Sequence, residues 1–376
     1  MPYRKNVFIV GAGFSAEAGA PVVRTFFEQA MELWKNPNSG LEGQERDIFR
    51  QVFDYRHELE IAEAKVQVDL DNIEDLFGTV EMASHLGFND AQTVKGKLVY
   101  VILRTLELTA TKRPWTRNIE YSFRDGPSPR STTFAGDLYE FFVDVVARRW
   151  EPPPAAGVAQ DSIISLNYDL LLERAMEPGP LAPLYGLSPE VVGEEPWEQS
   201  DKKRVRLLKL HGSANWAICP RCRNGVYVLR HSDASVLGLS RVPVCRGCGG
   251  QANNRLIVPP TWNKEEYRPL LNSVWKSAAN EIAAAQRLVI IGYSMPETDK
   301  FFQYLLALSL QNNRVLDQVV VVNSNTQQAD KIARLFRRHH ERNKAFQAAD
   351  SFERWVRNRA FLGQLGQVFP SSAPAW

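Results

Sequence analysis

The 376-residue sequence predicts an α/β fold: a parallel sheet with a large helical insertion and a small cysteine-held lobe. Three observations predict it. The apolar run Val7-Phe8-Ile9-Val10 reaches a Gly11-Ala12-Gly13 turn with a helical stretch behind it. Four more short β-branched runs follow, Ser162 to Leu166, Val205 to Leu210, Arg287 to Ile291 and Gln318 to Val322; several are continuous rather than alternating, as in strands buried on both faces. The only cysteines form two C-x-x-C pairs, Cys219/Cys222 and Cys245/Cys248.

Composition narrows the field without choosing a function. Hydrophobic residues at 44% and charged ones at 23% are ordinary for a globular protein, and the length allows one large domain with insertions, or two. Lys plus Arg number 45 against 43 for Asp plus Glu, so the overall charge does not indicate nucleic acid as a partner. Two basic clusters, Lys202 to Arg206 and Arg334 to Lys344 with Arg337, Arg338, His339 and His340, read as solvated faces. The sequence shows no signal segment and no apolar run near the roughly 18 residues that span a bilayer, so no membrane is expected and the expected location is the cytoplasm.

In chain order, the first strand and turn come first. Gly11 and Gly13 allow backbone to approach a pyrophosphate, and the helix start offers free amides, as in a Rossmann-like sheet; the third glycine, however, falls at Gly19 rather than three residues after Gly13. Met31 to Arg149 reads as mainly helical, with helical spacing over Asp47 to Ile61, Ile73 to Leu86 and Leu98 to Leu108. Lys112 to Thr133, with Pro114, Pro127 and Pro129, reads as a long loop, and Phe134 to Trp150 as a helix stopped by Glu151-Pro-Pro-Pro. This block is too long for a simple crossover and is expected to be an inserted subdomain. Phe352 to Phe361 reads as a last amphipathic helix. The expected divisions are residues 1–30, 158–217 and 255–350 for the nucleotide-binding sheet, 31–157 for the helical insertion, 218–254 for the cysteine module and 351–376 for the final helix and tail.

In a parallel sheet, ligand-contacting residues lie just beyond the carboxyl ends of the strands. Here those positions hold Gly11-Ala12-Gly13, then Asn167-Tyr168-Asp169, then His211-Gly212-Ser213-Ala214-Asn215-Trp216, then Gly292 to Asp299, then Asn323-Ser324-Asn325. Any one Asn, Asp or Ser could be a turn residue or helix cap. Five such ends in succession predict one site on one sheet edge.

The cysteine pairs predict a metal site. Each C-x-x-C turn aims two thiolates at one point, and two facing pairs make the closed tetrahedral sulfur site that Zn²⁺ prefers; the other reading is two redox or merely adjacent pairs with no metal. Four sulfur ligands fill every position, so such a zinc is structural and does no chemistry.

Taken together, these motifs resemble those of the sirtuin superfamily. Gly11-Ala-Gly-Phe-Ser15, Gly19-Ala-Pro21 and Arg24 are similar to its opening nucleotide loop, Ser165-Leu-Asn167-Tyr-Asp169 to its Asn-x-Asp element, and Lys209-Leu-His211-Gly212 to its catalytic histidine element. The C-x-x-C module, Ile290-Ile-Gly292-Tyr-Ser294 and Val322-Asn323 follow in the same order. The resemblance implies an NAD⁺ site and cleavage of the nicotinamide–ribose bond. Carried over, His211 is the general base on a ribose hydroxyl, Asn167 orients ribose or water, and Asp169 lies near the nicotinamide. Gly11, Ala12, Gly13, Phe14, Ser15, Pro21 and Arg24, with Gly292, Ser294 and Asn323, are assigned to the cofactor. The residue types suit the chemistry: neutral histidine accepts a proton near pH 7, and an amide positions without adding charge.

Two departures separate the chain from the protein-deacylating members of that superfamily. Val22 and Val23 stand where those carry Asp-Phe, and Leu256 to Lys264, with Pro259 and Pro260, stands where their peptide-pairing Phe-Gly-Glu strand falls. Asp71 to Phe77 and Gly292 to Asp299 instead resemble bacterial sirtuin-like proteins that hydrolyse NAD⁺ in antiphage defence. The expected function is therefore an NAD⁺ glycohydrolase, with an NAD⁺-dependent deacylase and a non-catalytic nucleotide-binding scaffold as the alternatives. An enzyme toxic to its own cell needs restraint, which leads us to expect a homo-oligomer and a triggering partner protein.

Overall fold

A computed structural model describes residues 4–63, 68–88, 90–111, 117–124, 129–147, 161–189, 191–194, 201–230, 242–258, 268–296, 299–336, 346–348 and 351–357. The strands in chain order are β1 (Asn6–Val10), β2 (Arg117–Arg124), β3 (Pro129–Gly136), β4 (Ser162–Ser165), β5 (Leu181–Leu184), β6 (Val192–Glu194), β7 (Lys203–Lys209), β8 (Gly212–Ile218), β9 (Val226–Val228), β10 (Asn254–Ile257), β11 (Arg287–Ile291), β12 (Gln318–Val322) and β13 (Phe346–Ala348). Seven of them form one sheet in the order β13-β12-β11-β1-β4-β7-β5, and every neighbouring pair is parallel. β1, β4, β11 and β12 are buried along their whole length, which explains their unbroken apolar spelling.

The amino edge of this sheet is stitched by buried polar side chains. Asp161 accepts from the Asn6 backbone at 2.8 Å and from Asn6 Nδ2 at 3.0 Å; Arg287 donates to Asn6 Oδ1 at 3.2 Å and to Gln318 Oε1 at 2.8 Å. One chain of charge-assisted bonds thus joins the starts of four neighbouring strands and satisfies groups that water cannot reach. The opposite, carboxyl edge is left for chemistry.

The expected helices appear at Phe26–Lys35, Gly43–Glu63, Ile73–His85 and Ala91–Thr109. Their inward faces build a second core, including Phe27, Phe49, Phe77, Leu98 and Ile102, which also touches Ala214 and Ile257 beside the sheet. The expected loop over Lys112 to Thr133 is corrected: β2 and β3 form an antiparallel hairpin, with Pro129 at a strand start, where a missing N–H is tolerated. The helix expected from Phe134 begins later, at Leu138, because Asp137 caps it. The Asp137 carboxylate accepts from the Tyr139 and Glu140 amides at 2.9 Å each, and Glu140 reaches back to the Asp137 amide at 3.0 Å.

The stretch that follows β7 turns at His211 into β8, Gly212–Ile218, part of a second sheet ordered β10-β8-β9-β6. Gly212 makes the corner: its φ is +81°, and a Cβ there would collide with the Leu256 carbonyl. The Lys202–Arg206 cluster is structural, since Lys202 donates to the Met176 and Glu177 carbonyls, Arg204 to Pro183 O at 3.1 Å, and Arg206 lies 3.5 Å from Glu281. The final helix covers Phe352–Arg357. Most of the second basic cluster, from Arg337 onward, the segment Glu151 to Gly157, Pro259 to Lys264, and the tail after residue 357 lie outside the described residues. Among the described residues, no helix is long and apolar enough to cross a membrane.

Candidate active site

Strand order locates the cleft. The sheet extends from β1 through β4, β7 and β5 on one side, and through β11, β12 and β13 on the other. Connections leaving in opposite directions open a crevice at the carboxyl end of β1, where open α/β sheets hold ligands.

The glycine turn lines that crevice, but its glycines have a second duty. Gly13 N donates to Gly292 O at 2.7 Å, Gly11 N to Ile291 O at 3.0 Å and Phe14 N to Gly11 O at 2.9 Å. A Cβ on Gly11 would lie 2.7 Å from Tyr293 Cα, and one on Gly13 2.8 Å from Gly292 Cα. The glycines therefore let the loops after β1 and β11 touch backbone to backbone. Phe14 points into the core, where its ring meets Tyr139, Phe142 and Phe352, and Tyr139 Oη donates to Phe14 O at 2.9 Å. Phe14 can meet a ligand only through its backbone.

Ser15 joins the first loop to the second. Its Oγ donates to Asp169 Oδ2 at 2.7 Å and accepts from Asn167 Nδ2 at 3.0 Å, while the same amide nitrogen donates to Gly11 O at 2.8 Å. Asp169 Oδ1 accepts from Leu171 N at 3.1 Å, at the start of the helix Leu171–Met176. Under this loop, buried Lys209 donates to Asp169 O at 2.6 Å and pairs with Glu173 at 3.0 Å. Sequence reading missed Lys209 and Glu173, since a charged pair under a loop leaves no local pattern.

His211 lies at the corner between the two sheets, only 4% exposed. Its Nε2 has no hydrogen bond but faces Asp299 Oδ1 at 3.5 Å, and Asp299 is 1% exposed. Tyr293 Oη donates to Asp299 Oδ2 at 2.8 Å; burial, then the Asp299 charge, pushes the phenol well above its ordinary range, so it remains a donor. Tyr293 O in turn accepts from Asn323 Nδ2 at 3.2 Å, and Gly292 N donates to Val322 O at 2.8 Å. Ser294 is exposed at the rim, Pro21 is buried behind the opening loop, and Arg24 is exposed on the turn Val23–Thr25. The structure thus links Gly11, Gly13, Ser15, Asn167, Asp169, Gly292 and Asn323 in one bonded group. Among the described residues, Arg24 and Ser294 make no hydrogen bond to it.

The cysteine lobe fits a zinc ion. All four sulfur atoms lie within 4.8 Å of one another, with Cys219 and Cys248 3.6 Å apart and Cys222 and Cys245 3.3 Å apart. Zn–S bonds of about 2.3 Å in a tetrahedron put sulfurs about 3.8 Å apart. The Cys245 thiol is drawn down to about 6: burial opposes ionisation, but hydrogen bonds from Cys222 and from the Cys248 and Gly247 amides outweigh it. Across the same bond the Cys222 thiol is pushed up to about 12: the Asn224 amide opposes this, but the bond to Cys245 and burial outweigh it. The two sulfurs thus share one proton, which a zinc ion bound by both would displace.

Fold and site together define a doubly wound α/β protein with a nucleotide-type cleft and a four-cysteine lobe. Residues 161–344 match the family model described as SIR2-like domain, a segment that runs from β4 past β12 and holds Asn167, Asp169, His211, all four cysteines, Gly292 and Asn323. A comparison with curated proteins finds no match. Among solved structures, a Sir2 homologue mutant complexed with 2'-O-acetyl ADP ribose is similar at 16% identity and a TM-score of 0.41, covering 97% of this chain and 95% of that one. Sir2 with an inhibitor, 2'-O-acetyl-ADP-ribose and a deacetylated p53 peptide is similar at 13% identity and 0.39, covering 96% and 95%. A Sir2 homologue mutant with ADP ribose is similar at 15% and 0.40, covering 97% and 96%.

Proposed function

We propose that this protein hydrolyses NAD⁺ to nicotinamide and ADP-ribose. What supports the reading is that Ser15, Asn167 and Asp169 form one hydrogen-bonded group beyond β1 and β4, and that a buried histidine follows β7, the strand next to β4. Nicotinamide departs neutral with the electron pair of its bond to C1′ of ribose, leaving an oxocarbenium-like centre; water adds there and gives up a proton. Such a transition state needs positioning and a proton acceptor more than covalent help. His211 is the acceptor, acting on a ribose hydroxyl directly or through water, and Asn167 orients the ribose or the water. Zinc, held by Cys219, Cys222, Cys245 and Cys248, is structural.

Within this reading the protein acts in antiphage defence by depleting NAD⁺, held in check until self-association or a partner protein releases it. Deacylation is the second reading, favoured by β10, an edge strand of the second sheet to which an extended peptide could add. Incubating the purified chain with NAD⁺, with and without an acyl-lysine peptide, separates them. Nicotinamide release without peptide supports hydrolysis, release only with peptide supports deacylation, and near-normal turnover retained by either His211→Ala or Asn167→Ala overturns the role assignments.

A further inference from the structure

We propose that Asp299 is a positioning residue for His211, holding the imidazole by Nε2 so that Nδ1 is the nitrogen offered to the ribose hydroxyl. The proposal rests on the NAD⁺-cleaving reading for its chemistry, but its geometry stands alone. Nε2 of a 4% exposed histidine has no hydrogen bond and faces a 1% exposed carboxylate oxygen at 3.5 Å. A buried polar atom left without a partner is costly, and here the Asp299 carboxylate lies at the edge of hydrogen-bond reach, a separation that small movements on ligand binding would close.

The carboxylate is itself held in place. Its other oxygen accepts from Tyr293 Oη at 2.8 Å, and the Asp299 amide donates to Pro296 O at 3.2 Å. The segment that delivers it is folded back by Gly292 at φ +60° and by buried Met295 at φ +51°, a conformation a non-glycine residue adopts only when its surroundings impose it. Met295 lies four residues before Asp299, and its φ shows that the backbone on the approach to this buried acid is held by its surroundings. As water adds to C1′, its proton passes to the ribose hydroxyl oxygen while that hydroxyl's own proton moves to Nδ1, later to be released to solvent, and the proton on Nε2 stays between imidazole and carboxylate. Asp299 remains ionised throughout and stabilises the imidazolium, the division of labour in any base–orienter pair. Among the described residues, the titratable groups around the pair are Tyr293 from the same segment, Tyr168, whose ring centre lies 6.4 Å from that of His211, and Glu74, whose charge acts on Tyr293.

The experiment follows the imidazole directly by ¹⁵N NMR titration of the full-length, zinc-loaded chain labelled at histidine, with the His211 signals assigned by His211→Gln, and alongside it measures NAD⁺ turnover against pH. In the wild type, neutral His211 should carry its proton on Nε2. Asp299→Asn should lower its proton affinity about tenfold, one unit of midpoint, and cut kcat by about 100-fold or more with KM changed only a few-fold. Tyr293→Phe, which removes a hydrogen bond from the carboxylate and concentrates its charge on His211, should move the midpoint in the opposite direction; a merely structural role would not produce opposed signs. An unchanged His211 midpoint in both variants, or a neutral His211 protonated on Nδ1, overturns the proposal. Should the wild type release no nicotinamide, the titration still reads the coupling, so failure of the hydrolase reading and failure of this pairing are told apart. If Asp299→Asn does not fold, Tyr293→Phe and Asp299→Glu carry the same test.

Discussion

Ser15 and Asp169 are 154 positions apart in the chain, yet the Ser15 hydroxyl donates to the Asp169 carboxylate at 2.7 Å. That bond, with Asn167 on the same hydroxyl, is what makes one site out of the loops after β1 and β4. Ser15→Ala should cost about 1–3 kcal/mol of stability, because it strands a carboxylate oxygen and leaves the Asn167 amide nitrogen with only its bond to Gly11 O. It should also lower NAD⁺ turnover while His211 titrates as before. Denaturant unfolding and the nicotinamide assay check the two effects separately.

Gly292→Ala tests the contact between the loops after β1 and β11. The residue sits at φ +60°, and a Cβ would strike the backbone of Gly13 and Phe14, atoms that cannot move aside as a side-chain tip would. Strain and collision together predict a loss of roughly 3 kcal/mol or more and no measurable nucleotide binding. Gly43→Ala, at a glycine whose Cβ would meet nothing, is the control and should leave the melting temperature within a few degrees.

Elemental analysis should find one zinc per chain, and Cys222→Ser or a strong chelator should release it. The lobe has its own small core around Ala217, Cys219, Tyr227, Leu229, Cys245 and Ala252, so loss of metal should unfold that part first. Protons compete for the thiolates, so acidification should also free the ion. Zinc bound with full affinity by a chain lacking two of the four cysteines would contradict the assignment.

Alkaline pH should destabilise the protein through its buried phenols. Burial, and then the Asp169 charge, pushes Tyr139 above its ordinary range, and burial with Asp299 does the same to Tyr293. Since both folded values exceed the unfolded value of about 10, their contribution is complete below pH about 10 and is lost as pH rises through the folded values. Tyr139→Phe should flatten that decline while costing about 1 kcal/mol at neutral pH for the lost bond to Phe14 O. Tyrosinate absorbance followed together with circular dichroism reads both.

The central strands were legible because burial on both faces forces uninterrupted apolar spelling, which Val7 to Val10 and Gln318 to Val322 display. Strand ends could be read for the same reason: once the runs are known, topology alone sends Gly11, Asn167, His211 and Asn323 to one edge. The C-x-x-C pairs announced the metal lobe because short-range geometry settles each half of it. Short edge strands such as β5 and β13 carry no such mark, and the hairpin of β2 and β3 was hidden by prolines in its sequence, of which Pro129 opens β3, where a strand tolerates it.

What the sequence by itself determined is therefore local: element type, the order of strand ends, the facing cysteines. Tertiary structure alone decided which atoms meet. It set Asp299 against His211, Lys209 beneath Asp169, and the glycines of one loop against the backbone of another. These are contacts between side chains and backbone far apart in the chain, fixed by packing and buried charge, and such forces leave no periodic trace in the order of residues.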